Sequence, residues 1–405
     1  MTDLHRETSA FTAEVAVVGG GPAGLVCAIA LAAAGVETLL IAPAAKPDHR
    51  TTALLASSVA ALATLGAWQR CLPDAAPLKK LRLVDDTRRL IRAPEVLFDA
   101  AEIGLDAFGH NIENRHLLAA LEARAAELQI PRIAAPAGMI APDRGGVTIG
   151  HAGGRARVRL VIAADGARSP CRAAAGITTR RGTYPQTALT LNLHHARPHD
   201  DTSSEFHTES GTFTLVPLPG RRSSLVCVVR PQTAGELVAL DDAALSAEIE
   251  RRAHSLVGPV TVEPGRGVFP LVIETAEASA RNRIVLVGEA AHVVPPIGAQ
   301  GLNLGLRDGA TIVEIVADAR RQNIDPGGPE VLRRYEAQRL ADVTARTAAV
   351  DLLNRSLLTD FIPVHGVRGL ALYLLDRIGP FRRALMREGV APAASQPRLM
   401  RGEMV

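Results

Sequence analysis

The stretch Val15-Ala16-Val17-Val18-Gly19-Gly20-Gly21-Pro22-Ala23-Gly24 decides the fold. Four consecutive apolar residues without polar alternation have the pattern of a strand buried on both faces of a parallel sheet. Three glycines interrupt it, and the Ala-rich run 22–34 that follows has the propensity of a helix, stopped by Gly35. Residues 36–41 form a second apolar run. Strand, glycine turn, helix and strand make a βαβ unit, the opening of a dinucleotide-binding sheet. In Gly19-x-Gly21-x-x-Gly24 the first glycine permits the tight turn and the second lets the backbone approach a pyrophosphate. The third lets helix pack closely on sheet, and the helix N-terminus adds partial positive charge.

The next position breaks the pattern. A carboxylate should end the second strand, ~20 residues on, and bind the ribose hydroxyls. The chain instead reads Leu40-Ile41-Ala42-Pro43, with no acid before Asp48. Lys46, His49 and Arg50 lie nearby, and on their own would suit the 2′-phosphate of NADP. The choice of nucleotide has to come from elsewhere in the chain.

Outward from this unit, residues 157–164 (RVRLVIAA) lead into Asp165-Gly166, and residues 283–287 (RIVLV) lead into Gly288-Glu289. Both have the look of central strands of the same sheet. Between them, residues 183–230 alternate apolar and polar, as in Ala188-Leu189-Thr190-Leu191-Asn192-Leu193, which predicts a half-exposed antiparallel sheet. The expected architecture is α/β. A discontinuous Rossmann-like domain takes 12–75, 101–182 and 275–330; an inserted antiparallel-sheet substrate lobe takes 76–100 and 183–274. C-terminal helices over 331–390 and a flexible tail over 391–405 complete it.

Composition narrows the function. Of 405 residues 47% are hydrophobic and 21% charged, enough core and too little charge for a disordered chain. With 45 basic against 42 acidic residues the net charge is only +3, and one Trp, three Tyr and eight Phe leave few rings for base stacking. Nucleic-acid binding is not expected. Cys27, Cys71, Cys171 and Cys227 have no metal-ligand or disulfide spacing, and no Ser–His–Asp arrangement is interpretable. The polar start and a longest apolar run of only 25–34 predict a cytoplasmic protein.

The late segment Gly288-Glu289-Ala290-Ala291-His292-Val293-Val294-Pro295-Pro296-Ile297-Gly298-Ala299-Gln300-Gly301-Leu302-Asn303 supplies the missing discrimination. A carboxylate at a strand end can hydrogen-bond a sugar-like chain of hydroxyls. The glycine turn before a helix offers backbone N–H groups to an electron-rich ring edge. Together with Asp165-Gly166-Ala167-Arg168-Ser169-Pro170, this segment resembles the paired signatures of FAD-dependent aromatic-ring hydroxylases with a para-hydroxybenzoate hydroxylase-like fold. A closer resemblance, to the ubiquinone-biosynthesis hydroxylases, runs through Asp48-His49-Arg50-Thr51-Thr52-Ala53-Leu54, Ile112-Glu113-Asn114-Arg115, Tyr184-x-Gln186, Phe269-Pro270-Leu271, Asp351-Leu352-Leu353-Asn354-Arg355 and Gly379-Pro380-Phe381-Arg382-Arg383.

The resemblance implies FAD as cofactor and NADPH or NADH as co-substrate. It implies hydroxylation of a phenolic ring by O2 through a flavin C4a-hydroperoxide, with a polyprenylated ubiquinone precursor as favoured substrate. It assigns cofactor contacts to Gly19, Gly21, Gly24, Arg50, Arg115, Asp165, Gly166, Glu289, Gly298, Gln300, Gly301, Leu302 and Asn303. Pro295, Pro296 and Gly298 would form the loop between flavin and substrate, with no acid or base assigned. Glu289 stands where the family more often has Asp, and Ala42 where it has the ribose-binding acid; loss of that bond predicts weakened FAD retention. His292 is read as a histidine satisfied by backbone, and Tyr184 and Gln186 as equally structural or functional. The arginines 355, 368, 377, 382, 383 and 387 are read as a solvated helix face, with peripheral contact to the inner face of a membrane or to a quinone-biosynthesis complex as the alternative. Rival readings are a hydroxylase of a small soluble phenol, a flavin-dependent reductase of prenyl chains, and a non-catalytic flavin-fold subunit.

Overall fold

The computed structural model describes residues 12–44, 48–87, 94–358, 378–390 and 396–405. Strand β1 (Ala13–Val18) sits inside a sheet between Gly154–Ala163 and β2 (Thr38–Ile41), parallel to both. The order continues outward to Ile284–Leu286 on one side and Arg132–Ile133 on the other, again in parallel. Each new strand arrives from a distant part of the chain, which is why the sheet needs helices on its faces as crossovers. Helix α1 (Pro22–Ala33) lies on one face and packs against the long helix Gln300–Arg321. Alternate residues of β1 part to the two sides: Val15 and Val17 join Leu25, Ile29 and Ile312 in one core, whereas Ala16 and Val18 join Val161 and Leu286 in the other.

The second sheet is built on Thr179–His195, a long strand bent by a register shift between Thr183 and Thr187. It pairs antiparallel with Gly267–Ala276 and Arg222–Val229. Lys80–Asp85 also joins this sheet, in parallel with Thr202–Thr208, so the lobe is mixed rather than wholly antiparallel. One face, carrying Leu189, Leu191, Leu225 and Phe213, packs under helices Pro231–Ala239 and Asp242–Arg252. The other carries Ala188, Val228 and Leu271 and turns toward the first domain. The edge of this second sheet is closed by His292–Val293, which follow Ile284–Leu286 of the first sheet in the chain and pair with Thr275 and Glu274.

Two C-terminal expectations change. Within 391–405, residues 391–395 lie outside the described residues, but 396–400 are packed: Leu399 and Met400 are buried in the α1 core, and Arg398 pairs with Glu314 and Asp318, whereas 401–404 are exposed. Apolar side chains four residues from a polar stretch escape a composition-based reading. Among the arginines expected on a solvated face, Arg368 and Arg377 fall outside the described residues. Arg355, Arg383 and Arg387 are exposed. Arg382 is buried; its guanidinium pairs with Glu102 and lies 4.7 Å from the centroid of the Phe98 ring.

Candidate cofactor site

Space around the glycine motif follows its expected division of labour. Gly19 has φ +119°, and a Cβ there would lie 2.1 Å from the Ala164 carbonyl oxygen. A Cβ on Gly24 would lie 2.1 Å from the Gly19 oxygen, so α1 rests directly on the turn. A Cβ on Gly21 would meet nothing within 4 Å. Packing alone explains Gly19 and Gly24 but leaves the open side of Gly21 for a ligand. No side chain caps the N-terminus of α1, and no acidic residue occupies its first turn. Its free N–H groups and dipole favour a phosphate.

The Asp165 loop borders the same mouth. Asp165 Oδ2 accepts from the Cys171 amide at 3.0 Å, while Oδ1 is buried with no hydrogen-bond partner among the described residues. Such an orphaned acceptor costs stability unless a donor arrives, so it suits a ligand hydroxyl. Glu289 is exposed nearby, its Oε2 3.9 Å from where a Cβ on Gly166 would lie. A buried network fixes its backbone. Asp308 accepts from the Gly288 amide (3.0 Å), from His292 Nε2 (2.6 Å) and from Arg339 Nε (2.7 Å). Burial pushes the Asp308 carboxyl up, but His292, Arg339 and the Gly288 amide outweigh it and hold the group below its usual value. The partner of His292 is therefore a carboxylate, not the backbone group expected from sequence.

The turn before helix Gln300–Arg321 has two successive left-handed residues, Gly298 (φ +63°) and Ala299 (φ +54°). Ala299 caps the helix with no side-chain bond, leaving the first-turn N–H groups of Gln300, Gly301 and Leu302 without a cap. The Asn303 side chain is committed to the protein. Its Oδ1 accepts from the Leu55 amide (2.9 Å) and Ser58 Oγ (2.7 Å), and its Nδ2 donates to the Ala53 and Ala299 carbonyls (2.8 and 2.6 Å). The side chain is fully used in clamping the turn to the segment 53–58. The Gln300 side chain is likewise engaged, donating to the Gly298 oxygen and accepting from Arg346. Pro295 is buried beneath the loop, and Pro296 and Gly298 are exposed on it.

Across the mouth, Arg50 forms two hydrogen bonds to Asp48 (2.9 and 2.8 Å) and lies 5.7 Å from the centroid of the Phe269 ring. Burial raises the Asp48 carboxyl, yet the bonds from Arg50 and Asn114 bring it to about 2. Arg50 is itself raised, chiefly by Asp48 and against its partial burial, with a lesser contribution from Glu289. Arg115 is half-exposed and pairs with Glu113, which also accepts from Arg222. Strand pairing puts Phe269 opposite Ala188, and Ala188 opposite Val228. Beside Arg50 the sheet therefore presents Phe269, 41% exposed, over buried Ala188 and Val228. Tyr184 and Gln186 take the structural role: Tyr184 donates to Asp351, and Gln186 bonds Asn354 and the Ser210 oxygen, tying helix Pro329–Leu358 to the second sheet. Lys46 lies outside the described residues.

Open space at Gly21, an orphaned acceptor on Asp165, uncapped amides on two helices and paired arginines together fit an extended dinucleotide with a hydroxylated linker. Among the described residues no group of His, Cys, Asp and Glu could hold a metal ion. Sequence reasoning missed Asp308 and Arg339, whose partners lie on other elements; no local spacing announces them.

A family model described as an FAD binding domain matches residues 12–350. The ubiquinone hydroxylase UbiL of Rhodospirillum rubrum is 36% identical over 403 residues, covering 96% of this chain and 93% of that protein. The 3-demethoxyubiquinol 3-hydroxylase of Escherichia coli is 31% identical over 398 residues, covering 92% and 97%. Klebsiella pneumoniae HpxO, solved with FAD and uric acid, superposes with a TM-score of 0.73 at 19% identity over 92% of this chain and 96% of its own. The p-nitrophenol 4-monooxygenase PnpA of Pseudomonas putida gives 0.66 at 21% identity, over 96% and 95%. The structural likenesses establish the fold, and the sequence relatives the branch. The chain belongs to the FAD-dependent aromatic-ring monooxygenases, within the ubiquinone-biosynthesis hydroxylase family.

Proposed function

We propose that the chain hydroxylates a phenolic ring bearing a polyprenyl tail, a ubiquinone precursor, with FAD, NADPH or NADH, and O2. The observation that carries the substrate class is Phe269, half-exposed beside Arg50 and backed by the buried apolar side chains of Ala188, Val228 and Leu271. A wall of this kind suits a ring with a hydrocarbon tail better than a small charged phenol. Two relatives named for ubiquinone and demethoxyubiquinol hydroxylation support the same choice.

FAD, when bound, supplies the redox chemistry by which NADPH or NADH activates O2. The protein's tasks are binding, orientation and exclusion of water. The Gly21 backbone and the α1 amides would take the pyrophosphate, with Arg115 as a counter-charge. Asp165 Oδ1 and Glu289 would accept from the linker hydroxyls. The amides of Gln300, Gly301 and Leu302 would oppose negative charge on the ring system, held in position by the Asn303 clamp. Pro295 and Pro296 would wall the reacting ring from solvent.

A polyprenylated substrate resides in lipid, so peripheral contact with the inner face of a membrane is part of this reading. Helix Gly379–Val390 leaves Phe381 and Leu385 exposed, with Arg383 and Arg387 also exposed on it. Among the described residues no helix is long and apolar enough to cross a membrane.

The test is turnover of FAD-loaded protein with NADPH or NADH under 18O2, offering a prenylated phenol and para-hydroxybenzoate in parallel. The expected result is one 18O atom in the prenylated product. Consumption of NAD(P)H without labelled product, or equal efficiency on the small phenol, refutes the assignment.

A further inference from the structure

The absent acid at the end of β2 leaves a gap that the structure fills from the neighbouring strand. Ala42 is fully buried, and its Cβ lies 2.9 Å from where a Cβ on Gly20 would be. Arg132, whose backbone pairs with Leu40, extends its side chain to the carboxyl end of β2. Nε donates to the Ala42 oxygen at 3.4 Å and Nη2 to the Pro43 oxygen at 3.1 Å, while Nη1 donates to Glu122 Oε2 at 2.6 Å. The guanidinium stands beside the glycine turn, with Nη2 3.5 Å from the same Cβ position on Gly20. Both partners keep solvent contact, at 26% and 30% exposure.

In a dinucleotide-binding βαβ unit the adenosine ribose lies over this strand end. A ribose diol both donates and accepts, whereas a lone carboxylate only accepts. Arg132 uses three of its five N–H groups in the bonds above, leaving one on each terminal nitrogen, and Glu122 keeps one oxygen without a partner among the described residues. An acid introduced at position 42 would meet Arg132 first, so the two solutions occupy the same space. We propose that the Arg132–Glu122 pair takes over the adenosine-ribose contacts of FAD that a carboxylate at position 42 would make. This deepens the FAD reading and rests on it.

The test is FAD affinity of the deflavinated full chain, read by flavin fluorescence on titration, with FMN as the control ligand lacking the adenosine half. Arg132→Gln is expected to raise the FAD Kd roughly tenfold to a hundredfold, and Glu122→Gln roughly threefold to tenfold. Both should leave FMN affinity unchanged. ADP used to displace FAD should weaken by the same factor, and 2′-deoxy-ADP should lose less. Glu122→Gln preserves shape and retains a bond to Arg132, so it keeps the proposal testable if Arg132→Gln fails to fold. A folded variant of either kind with FAD affinity within about twofold of the parent overturns the proposal, as does an equal loss for FMN. A parent chain that binds neither ligand fails at the FAD reading itself, a result distinct from any loss confined to the variants.

Discussion

Replacing Asn303 with Ala separates a residue that touches the cofactor from one that holds the frame around it. The substitution removes four hydrogen bonds, three linking the turn at 298–303 to the segment 53–58 and one inside the turn, to the Ala299 oxygen. The Ala299 oxygen keeps the helical bond from residue 303, but Ser58, with no exposed surface, and the Leu55 amide lose an acceptor, and the Ala53 oxygen loses a donor. Each orphaned group costs about 1–3 kcal/mol when water cannot reach it. Water can enter part of the space vacated by the amide, so a total of about 2–5 kcal/mol is expected, a drop of the order of 5 °C in the unfolding midpoint. The assay is thermal unfolding of deflavinated protein, with FAD titration of the folded protein measured separately below the transition. Stability should fall first, with FAD affinity following because the amides of residues 300–302 lose their fixed orientation. Asn303→Ala protein of parental stability but lost FAD affinity would refute the clamp and restore Asn303 as a direct contact.

Four further outcomes follow from the same geometry. Gly21→Ala should leave stability within about 0.5 kcal/mol, since its φ of −73° suits any residue and its Cβ meets nothing, yet should weaken FAD binding; an unchanged FAD Kd would show that the pyrophosphate lies elsewhere. Ala299→Gly should stabilise the chain by up to about 1 kcal/mol by removing a left-handed alanine, measured by urea midpoint, and a loss would mean that its Cβ contributes packing that outweighs the strain. Asp308→Asn leaves His292 buried without its anion and takes one of the two carboxylates from buried Arg339, which keeps Asp342, and should cost about 3 kcal/mol in urea unfolding; a cost under about 1 kcal/mol would refute the network's role in holding Gly288. His110 and His195 are both lowered from the ordinary value by burial, so the unfolded chain takes up their protons more readily; stability should be full above about pH 6.5 and decline as pH falls below it. His110→Gln should flatten part of that decline in a thermal-unfolding series, and an unaltered slope would remove His110 from the account.

Local patterns revealed the parts of the fold that are local. The run 15–18, the glycine spacing to Gly24 and the run 36–41 specify β1, α1 and β2, because buried strands and a glycine turn each leave a contiguous trace. The alternation in 183–230 foretold the second sheet but not the parallel entry of Lys80–Asp85, since the alternating Lys80-Leu81-Arg82-Leu83 reports a half-exposed strand and not the direction in which it pairs. The backbone conformation of the candidate site was legible in the sequence, at Gly19, Gly24 and the turn at 298–302. Side-chain direction was not. Asn303 turns inward to partners some 250 positions earlier, His292 meets Asp308 across a strand–helix contact, and Arg132 reaches β2 from a strand two residues long. No periodicity encodes a rotamer, and a polar residue in a cofactor motif is as free to hold the protein as to hold the ligand.

The parallel pairing of Val161, Ile162 and Ala163 with Ile284, Val285 and Leu286 spans more than a hundred residues of intervening chain. Closing so long a loop before any reward is collected is slow, whereas the hairpins at 202–229 join sequence neighbours and can form early. The inserted lobe is thus placed to fold while the nucleotide-binding sheet is still incomplete. On a ribosome, β1, β2 and Gly154–Ala163 would emerge with one edge open until Ile284–Leu286 is synthesised, an interval in which exposed apolar strands invite misassociation. Yield of active protein should therefore respond to growth temperature and chaperone supply more than the equilibrium stability of the finished chain would indicate.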